Sequence, residues 1–118
     1  MPQHIPAPTS IPVPGGKIID EYVGRVNSGT EAVSVARMSA PGGWTEPAQA
    51  PAFDEVTLVL RGVVRVSHDG GELDVRAGEA VLTRAGERVT YSTPDPDGAD
   101  YVAICVPAFS PDAAGREQ

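Results

Sequence analysis

The chain has 118 residues and a mass of 12.3 kDa, which is enough for one hydrophobic core but not for two. Its formal net charge of −7 and its pI near 4.6 argue against binding to nucleic acid or to anionic membranes. The sequence holds no run of about 18 apolar residues and no charged segment followed by an apolar core, so it predicts neither a membrane span nor a signal peptide. We therefore expect a cytoplasmic protein, and the single cysteine agrees with a reducing compartment.

The first segment is rich in proline. Residues 2–14 contain five prolines among small and apolar residues, a composition that favours an extended arm over a packed helix. Two interpretations stay open: the arm adds to the sheet edge of a neighbouring subunit, or it is disordered. We divide the chain into an arm (1–16), a β-barrel domain (17–111) and a C-terminal tail (112–118).

From Lys17 onward, apolar residues alternate with polar or small ones at the period of two that is typical of strands. The first clear strand is predicted at 31–38 and ends at Pro41, Gly42 and Gly43. A second runs over 55–60, and Gly62 is expected to break it before the next run at 63–66.

The Asp69-Gly70-Gly71 sequence predicts a hairpin turn, because these residues adopt positive φ at little cost. Further strands are predicted at 73–75, 80–83, 89–92 and 101–106, with a loop at 93–98. About seven to nine short strands without a helix indicate an antiparallel sandwich or barrel.

Two glycine-bounded spacings lie in the middle of the chain. The first reads Gly42, five residues, Ala48, one residue, Ala50, four residues, Glu55, six residues and Gly62. The second reads Gly78, five residues, the triplet 84–86, two residues and Val89.

These spacings resemble the two motifs of the cupin superfamily, in which histidines would occupy positions 48, 50 and 89. The segments at 44–55 and 107–111 are similar to those of small bacterial cupins that lack the usual metal-binding histidines, with a weaker likeness to ethanolamine-utilisation cupins. The resemblance implies an all-β chain folded as a single cupin jelly-roll β-barrel with an extended N-terminal arm.

The missing histidines bear on metal binding. Transition metals favour imidazole donors, whereas the chain has only His4 in the arm and His68 beside the hairpin turn. We expect no metal and no cofactor. One alternative stays open, in which Glu46, Gln49 and Glu55 supply oxygen ligands.

Glu55 is the first candidate for catalysis. Strand alternation places it with Thr57 on the face opposite Val56 and Leu58, and the resemblance implies that this face looks into the barrel. A carboxyl group in an apolar cavity has a raised pKa, which suits proton transfer near neutral pH. Tyr91 shares a strand face with Val89 and is the second catalytic candidate, as a hydrogen-bond donor to a substrate oxygen; the alternative is a tyrosine that only packs in the strand. The alternative for Glu55 is a structural carboxylate that is satisfied by hydrogen bonds.

The candidate substrate-binding residues are apolar, aromatic or polar side chains predicted near the barrel interior: Met38, Trp44, Glu46, Gln49, Phe53, Thr57 and Cys105. Trp44 and Phe53 either wall a pocket or plug the end of the barrel. Arg37 is expected on the outer face. No base accompanies Cys105 in the sequence, so a buried inert thiol is the preferred interpretation.

Three functions compete. The first is a metal-independent isomerase, lyase or cyclase acting on a small organic molecule, with Glu55 as the proton-transfer group. The second is a non-catalytic module that binds or senses a small molecule, and the third is a metal-dependent dioxygenase with non-histidine ligands. We also expect a homodimer, because pairing would cover exposed sheet edges.

Overall fold

A computed structural model describes residues 1–116, and these residues form nine strands and one short helix. The strands are β1 (Thr9–Ile11), β2 (Ile18–Val23), β3 (Ser34–Ala40), β4 (Trp44–Thr45), β5 (Asp54–His68), β6 (Gly71–Arg76), β7 (Ala80–Thr83), β8 (Val89–Thr93) and β9 (Ala99–Val106). The helix α1 spans Pro111–Ala114. Within the described residues no helix is long and apolar enough to cross a membrane.

The strands form one curled antiparallel sheet, in the order β1-β2-β3-β9-β5-β8-β4, with β6 and β7 also paired to β5. The first half of β5 pairs with β7 and β9, whereas its second half pairs with β6 and β8. Because one long strand belongs to both halves, the sheet folds back on itself and encloses an interior. The all-β architecture is confirmed.

The expected break at Gly62 is wrong, since β5 runs through this position without interruption. The register with β9 shifts between Val59 and Arg61, and Gly62 adopts a positive φ of 79°. A glycine tolerates this conformation, so the strand bends and changes partners instead of ending. A Cβ at Gly62 would lie 2.1 Å from the carbonyl oxygen of Gly98, so the close approach of the two strands also requires glycine.

The other strand predictions agree with the structure within a few residues. The strand at 80–83 has the predicted bounds, and the hairpin turn follows His68 as expected. No individual strand was predicted before residue 31, so β1 and β2 were not predicted, and neither were the short strand β4 and the helix α1.

Neither interpretation of the arm describes Thr9–Ile11, because this segment pairs with β2 of its own chain. The segment predicted as a tail contains most of α1, which Ser110 caps by accepting a hydrogen bond from the Ala113 amide. Residues 117–118 of that predicted tail lie outside the described residues.

Most of the core lies between the two halves of the sheet. Its buried cluster includes Trp44, Val59, Val64, Tyr91 and Tyr101. A smaller cluster, Phe53 with Cys105 and Ala114, lies where α1 packs on the barrel. A cavity remains between these clusters.

Candidate functional site

The cavity opens inside the curled sheet and encloses about 610 Å³ of space including its mouth. Apolar side chains form much of its wall, and ionisable and polar side chains form the rest. The polar and ionisable lining residues are Lys17, Glu21, Ser34, Glu46, Gln49, Glu55, Thr57, Tyr91, Tyr101 and Arg116. A mixed apolar and polar lining of this kind is typical of small-molecule sites.

Glu55 lies on the interior face of β5, between two neighbouring strands. Its register partners are Thr83 on β7 and Cys105 on β9, both buried. Removal of its carboxyl from water, reinforced by the nearby Glu46 carboxylate, raises the pKa of Glu55 to about 7. Lys17, Arg116 and the Tyr91 hydroxyl oppose this rise but do not cancel it. The carboxyl can therefore take up or release a proton near neutral pH.

Tyr91 reaches the same point from the other half of the sheet. Its hydroxyl lies 3.0 Å from the Thr83 hydroxyl, and it interacts with the Glu55 carboxyl. Burial, followed by the charge of Glu55, raises the pKa of Tyr91, so its phenol keeps its proton. The Thr83 contact holds this protonated hydroxyl beside Glu55.

Glu46, Gln49 and Arg116 form a hydrogen-bonded group at one wall. The Gln49 amide donates to Glu46 Oε1 at 3.0 Å, and Arg116 Nε donates to Gln49 Oε1 at 3.3 Å. An ion pair of 3.8 Å joins Arg116 to Glu46. Burial raises the pKa of Glu46, and the cations Lys17 and Arg116 oppose the rise.

Backbone contacts bring Arg116 to this wall. The Ala52 amide donates to the Ala113 carbonyl at 2.7 Å, the Ala50 amide donates to the Gly115 carbonyl at 3.1 Å, and Gln49 and Arg116 form an isolated bridge. The C-terminal segment therefore completes the cavity wall.

Lys17 stands between two aromatic rings just before β2. Its Nζ lies 4.3 Å from the centroid of the Trp44 ring and 5.5 Å from that of Tyr101. Burial lowers the pKa of Lys17, while the charges of Glu46 and Glu55 oppose this. A second cavity adjoins the first, and Lys17, Ile19, Glu46 and Arg116 line both.

The predicted site residues come together with one exception. The residues that line the main cavity are Met38, Glu46, Gln49, Phe53, Glu55, Thr57, Tyr91 and Cys105. Trp44 lines the adjoining cavity instead, and Phe53 belongs to a different core cluster, so the two aromatic residues do not form one wall. Burial raises the pKa of Cys105 to about 12, which keeps its thiol protonated. Arg37 lies outside and pairs with Asp100, as expected.

The first glycine spacing was placed one residue too early. Ala50 is exposed, whereas Gln49 and Pro51 are buried and Gln49 lines the cavity. Counting five residues from Gly43 instead of Gly42 gives positions 49 and 51 and still ends at Glu55. Neither register contains a histidine.

Sequence reasoning missed five polar residues of the wall, which are Lys17, Glu21, Ser34, Tyr101 and Arg116. One signal was available, because Lys17 is the only lysine in a chain whose other basic residues are all arginine or histidine. Glu21 is already engaged, since its Oε2 accepts from the amides of Val26 and Asn27 at 2.8 and 2.9 Å.

Among residues 1–116, those that line this cavity include no histidine. Residues 1–116 contain no group of three or more histidine, cysteine or acidic side chains placed to hold an ion. His4 and His68 are exposed, Arg116 pairs with Glu46 at 3.8 Å, and the charge of Lys17 also acts on Glu46. Positive charge in the ligand shell opposes cation binding.

The chain is a cupin-type barrel, in which a curled antiparallel sheet surrounds a cavity with polar and apolar walls. Among solved structures, an RmlC-like cupin from Shewanella frigidimarina NCIMB 400 is similar, with a TM-score of 0.73, 16% identity and coverage of 87% of this chain and 86% of that one. A putative ethanolamine utilization protein Q from Salmonella typhimurium LT2 aligns with a TM-score of 0.62 and 20% identity, covering 79% and 71% of the two chains. The predicted cupin fold is confirmed.

The family model described as the AraC-like ligand binding domain matches residues 44–117, and the chain belongs to this family. A curated relative from Myxococcus xanthus (strain DK1622), named endoribonuclease YbeY, is 45% identical over 107 residues. The match covers 91% of this chain but 36% of the relative, so the chain spans about a third of that protein's length.

Proposed function

We propose that the chain binds a small organic molecule in its barrel and that Glu55 transfers a proton to or from it without a metal, in a reaction of the isomerase, lyase or cyclase type. The observation that carries this proposal is the enclosed Glu55 carboxyl with its pKa near 7, beside a phenol that keeps its proton. A group with this pKa serves as acid or base at neutral pH.

The neighbouring residues have matching roles in this proposal. Tyr91, held by Thr83 at 3.0 Å, donates a hydrogen bond to the substrate oxygen on which negative charge develops. Met38 and Phe53 contribute apolar wall that excludes water, while Glu46 and Gln49 contact polar groups of the substrate. The protonated Cys105 thiol takes no part in nucleophilic attack.

Proton exchange tests the catalytic proposal. Small carbonyl compounds with exchangeable C–H bonds, namely pyruvate, acetone and dihydroxyacetone, are incubated with the protein in deuterium oxide and EDTA, and loss of the C–H signals is followed by proton NMR. We expect exchange with at least one probe, reduced about 100-fold or more in Glu55→Gln. The control is Glu31→Gln, which neutralises a carboxylate that is 82% exposed and should leave the rate unchanged.

A non-catalytic binding or sensing module is the second candidate. The family is described by ligand binding, and in the Myxococcus xanthus relative a region similar to this chain makes up 36% of a longer protein named as an enzyme. Such a module would bind a ligand and leave the chemistry to another part of the protein. Absence of exchange with every probe, together with equal ligand binding by the wild type and Glu55→Gln, would favour this candidate over catalysis.

A further inference from the structure

Two hydrogen-bond donors in the cavity wall have no hydrogen-bond acceptor among residues 1–116. Lys17 is 9% exposed and Tyr101 is 3% exposed, and both line the main cavity. Within residues 1–116 the Tyr101 hydroxyl has no hydrogen-bond partner, and the Lys17 amine is engaged only by the two aromatic rings and by longer-range charges. Buried polar groups are nearly always satisfied, so each exception calls for an explanation.

The aromatic rings account for only part of the environment of Lys17. The faces of Trp44 and Tyr101 attract an ammonium group, but an ammonium also carries three N–H donors that need oxygen acceptors. Satisfying these donors requires an acceptor from outside the described chain.

The nearby carboxylates are directed elsewhere. Glu46 is hydrogen-bonded to Gln49 and paired with Arg116, and Glu21 accepts from two loop amides. The charges of Glu46 and Glu55 reach Lys17 only as longer-range attractions. The wall therefore holds one cation without a close counter-ion and, beside it, one hydroxyl without an acceptor.

We propose that the ligand of this barrel is a small organic anion whose carboxylate accepts hydrogen bonds from Lys17 Nζ and the Tyr101 hydroxyl. The inference rests on the proposed binding function and deepens it by naming the ligand class. A carboxylate neutralises the buried ammonium and forms charge-assisted hydrogen bonds, whereas a neutral oxygen would leave the charge without a counter-ion. The remainder of the molecule extends along the cavity toward Glu55 and Tyr91.

Matched acid and amide pairs test this assignment. Lactate with lactamide, mandelate with mandelamide and benzoate with benzamide are titrated into the whole chain by isothermal calorimetry at fixed pH and ionic strength. We expect at least one acid to bind at least about tenfold more tightly than its amide, a difference of about 1.4 kcal/mol.

Single substitutions identify the side chains that bind the carboxylate. In Lys17→Met the preference for the acid should vanish, because methionine keeps the apolar stem and removes the charge. In Tyr101→Phe the affinity for the acid should fall several-fold. Arg37→Met and Tyr22→Phe are the matched controls, since both side chains lie on the surface and both variants should bind like the wild type.

Three outcomes would overturn the inference: equal binding of acid and amide, an acid preference that survives in Lys17→Met, or no binding by any pair. Equal binding leaves the proposed small-molecule function standing and removes only the anion. Should Lys17→Met fail to fold, as judged by circular dichroism, Tyr101→Phe decides, and unchanged affinity for the acid then counts against the proposal. The proton-exchange assay with acetone tests Glu55 independently of the anion proposal, because acetone carries no charge.

Discussion

At the residue scale, the ionisation of Glu55 is coupled to folding. Its carboxyl lies in the cavity of the folded chain, where it is shielded from most of the solvent, and in water in the unfolded chain; the pKa is about 7 in the first state against 4.5 in the second. A raised folded-state pKa means that the folded protein holds the proton more tightly. The same property that suits the residue for proton transfer therefore lowers stability once the proton is lost.

We predict that the wild type loses stability as the pH rises from 4.5 to about 7, by up to about 3 kcal/mol from this group alone. Below this window both states are protonated and the group contributes no difference, whereas above it the folded state holds a buried charge. Glu55→Gln removes the effect, so its stability relative to the wild type should increase across the window and then level off. Urea denaturation of both proteins over this pH range measures the difference.

The pKa of Glu46 is also raised in this cavity, so Glu46→Gln is measured alongside Glu55→Gln to separate the two carboxyl groups. Subtracting the wild-type curve from that of Glu55→Gln isolates the Glu55 contribution. If the difference in stability between Glu55→Gln and the wild type does not change with pH, the raised pKa of Glu55 is contradicted.

Sequence patterns located those residues of the site that lie on regular strands. Strand alternation put Glu55 and Thr57 on one face, and the cupin resemblance implied that this face and the face of Tyr91 look into the barrel, where all three residues line the cavity. Lys17 and Arg116 could not be found in this way, because they lie outside the regular strands near the two ends of the chain. Only the folded barrel brings those ends to one wall.

At the scale of elements, β5 determines the shape of the barrel. Its first half carries Glu55 and Thr57 into the cavity, and its second half carries Val64 and Val66 into the core. Gly62 separates the halves and permits the change of partners. A period-two pattern predicts both halves, but it does not indicate whether a glycine between them ends a strand or bends it, because that depends on the partner strand.

We predict that Gly62→Ala is far more destabilising than Gly78→Ala. Both glycines have positive φ, at 79° and 85°, so both substitutions introduce backbone strain of about 1 kcal/mol. At Gly62 the new Cβ would also meet the Gly98 carbonyl oxygen at 2.1 Å, whereas at Gly78 nothing lies within 4 Å. We expect a loss of more than about 3 kcal/mol for Gly62→Ala against about 1 kcal/mol for its control.

Urea denaturation measures both variants, and ligand titration of folded Gly62→Ala reports whether the bend positions the cavity. Equal losses in the two variants would show that close packing against Gly98 does not constrain β5.

At the scale of the whole molecule, an apolar row crosses the outer face of the sheet. Paired positions on five neighbouring strands form it, in the order Leu82, Val56, Ile104, Val35 and Val23. Leu82 is 48% exposed and the other four are partly buried. Contiguous apolar surface of this kind is typical of a protein interface. The proposed homodimer would bury this row, and the arm would not be needed to join the subunits, since β1 pairs within its own chain.

We predict that the chain is a dimer in solution and that Leu82→Glu makes it a monomer, because a charge at the edge of the row would be buried in the interface. The matched control is Leu73→Glu, which alters a residue 40% exposed on β6, away from the row, and should leave the dimer intact. Light scattering coupled to size-exclusion chromatography measures the mass of each protein. Removal of residues 1–14 separates the two modes of association: a face-to-face dimer survives the truncation, whereas a dimer joined by exchanged arms does not. A monomeric wild type, or a dimer that persists in Leu82→Glu, would refute the assignment of this face.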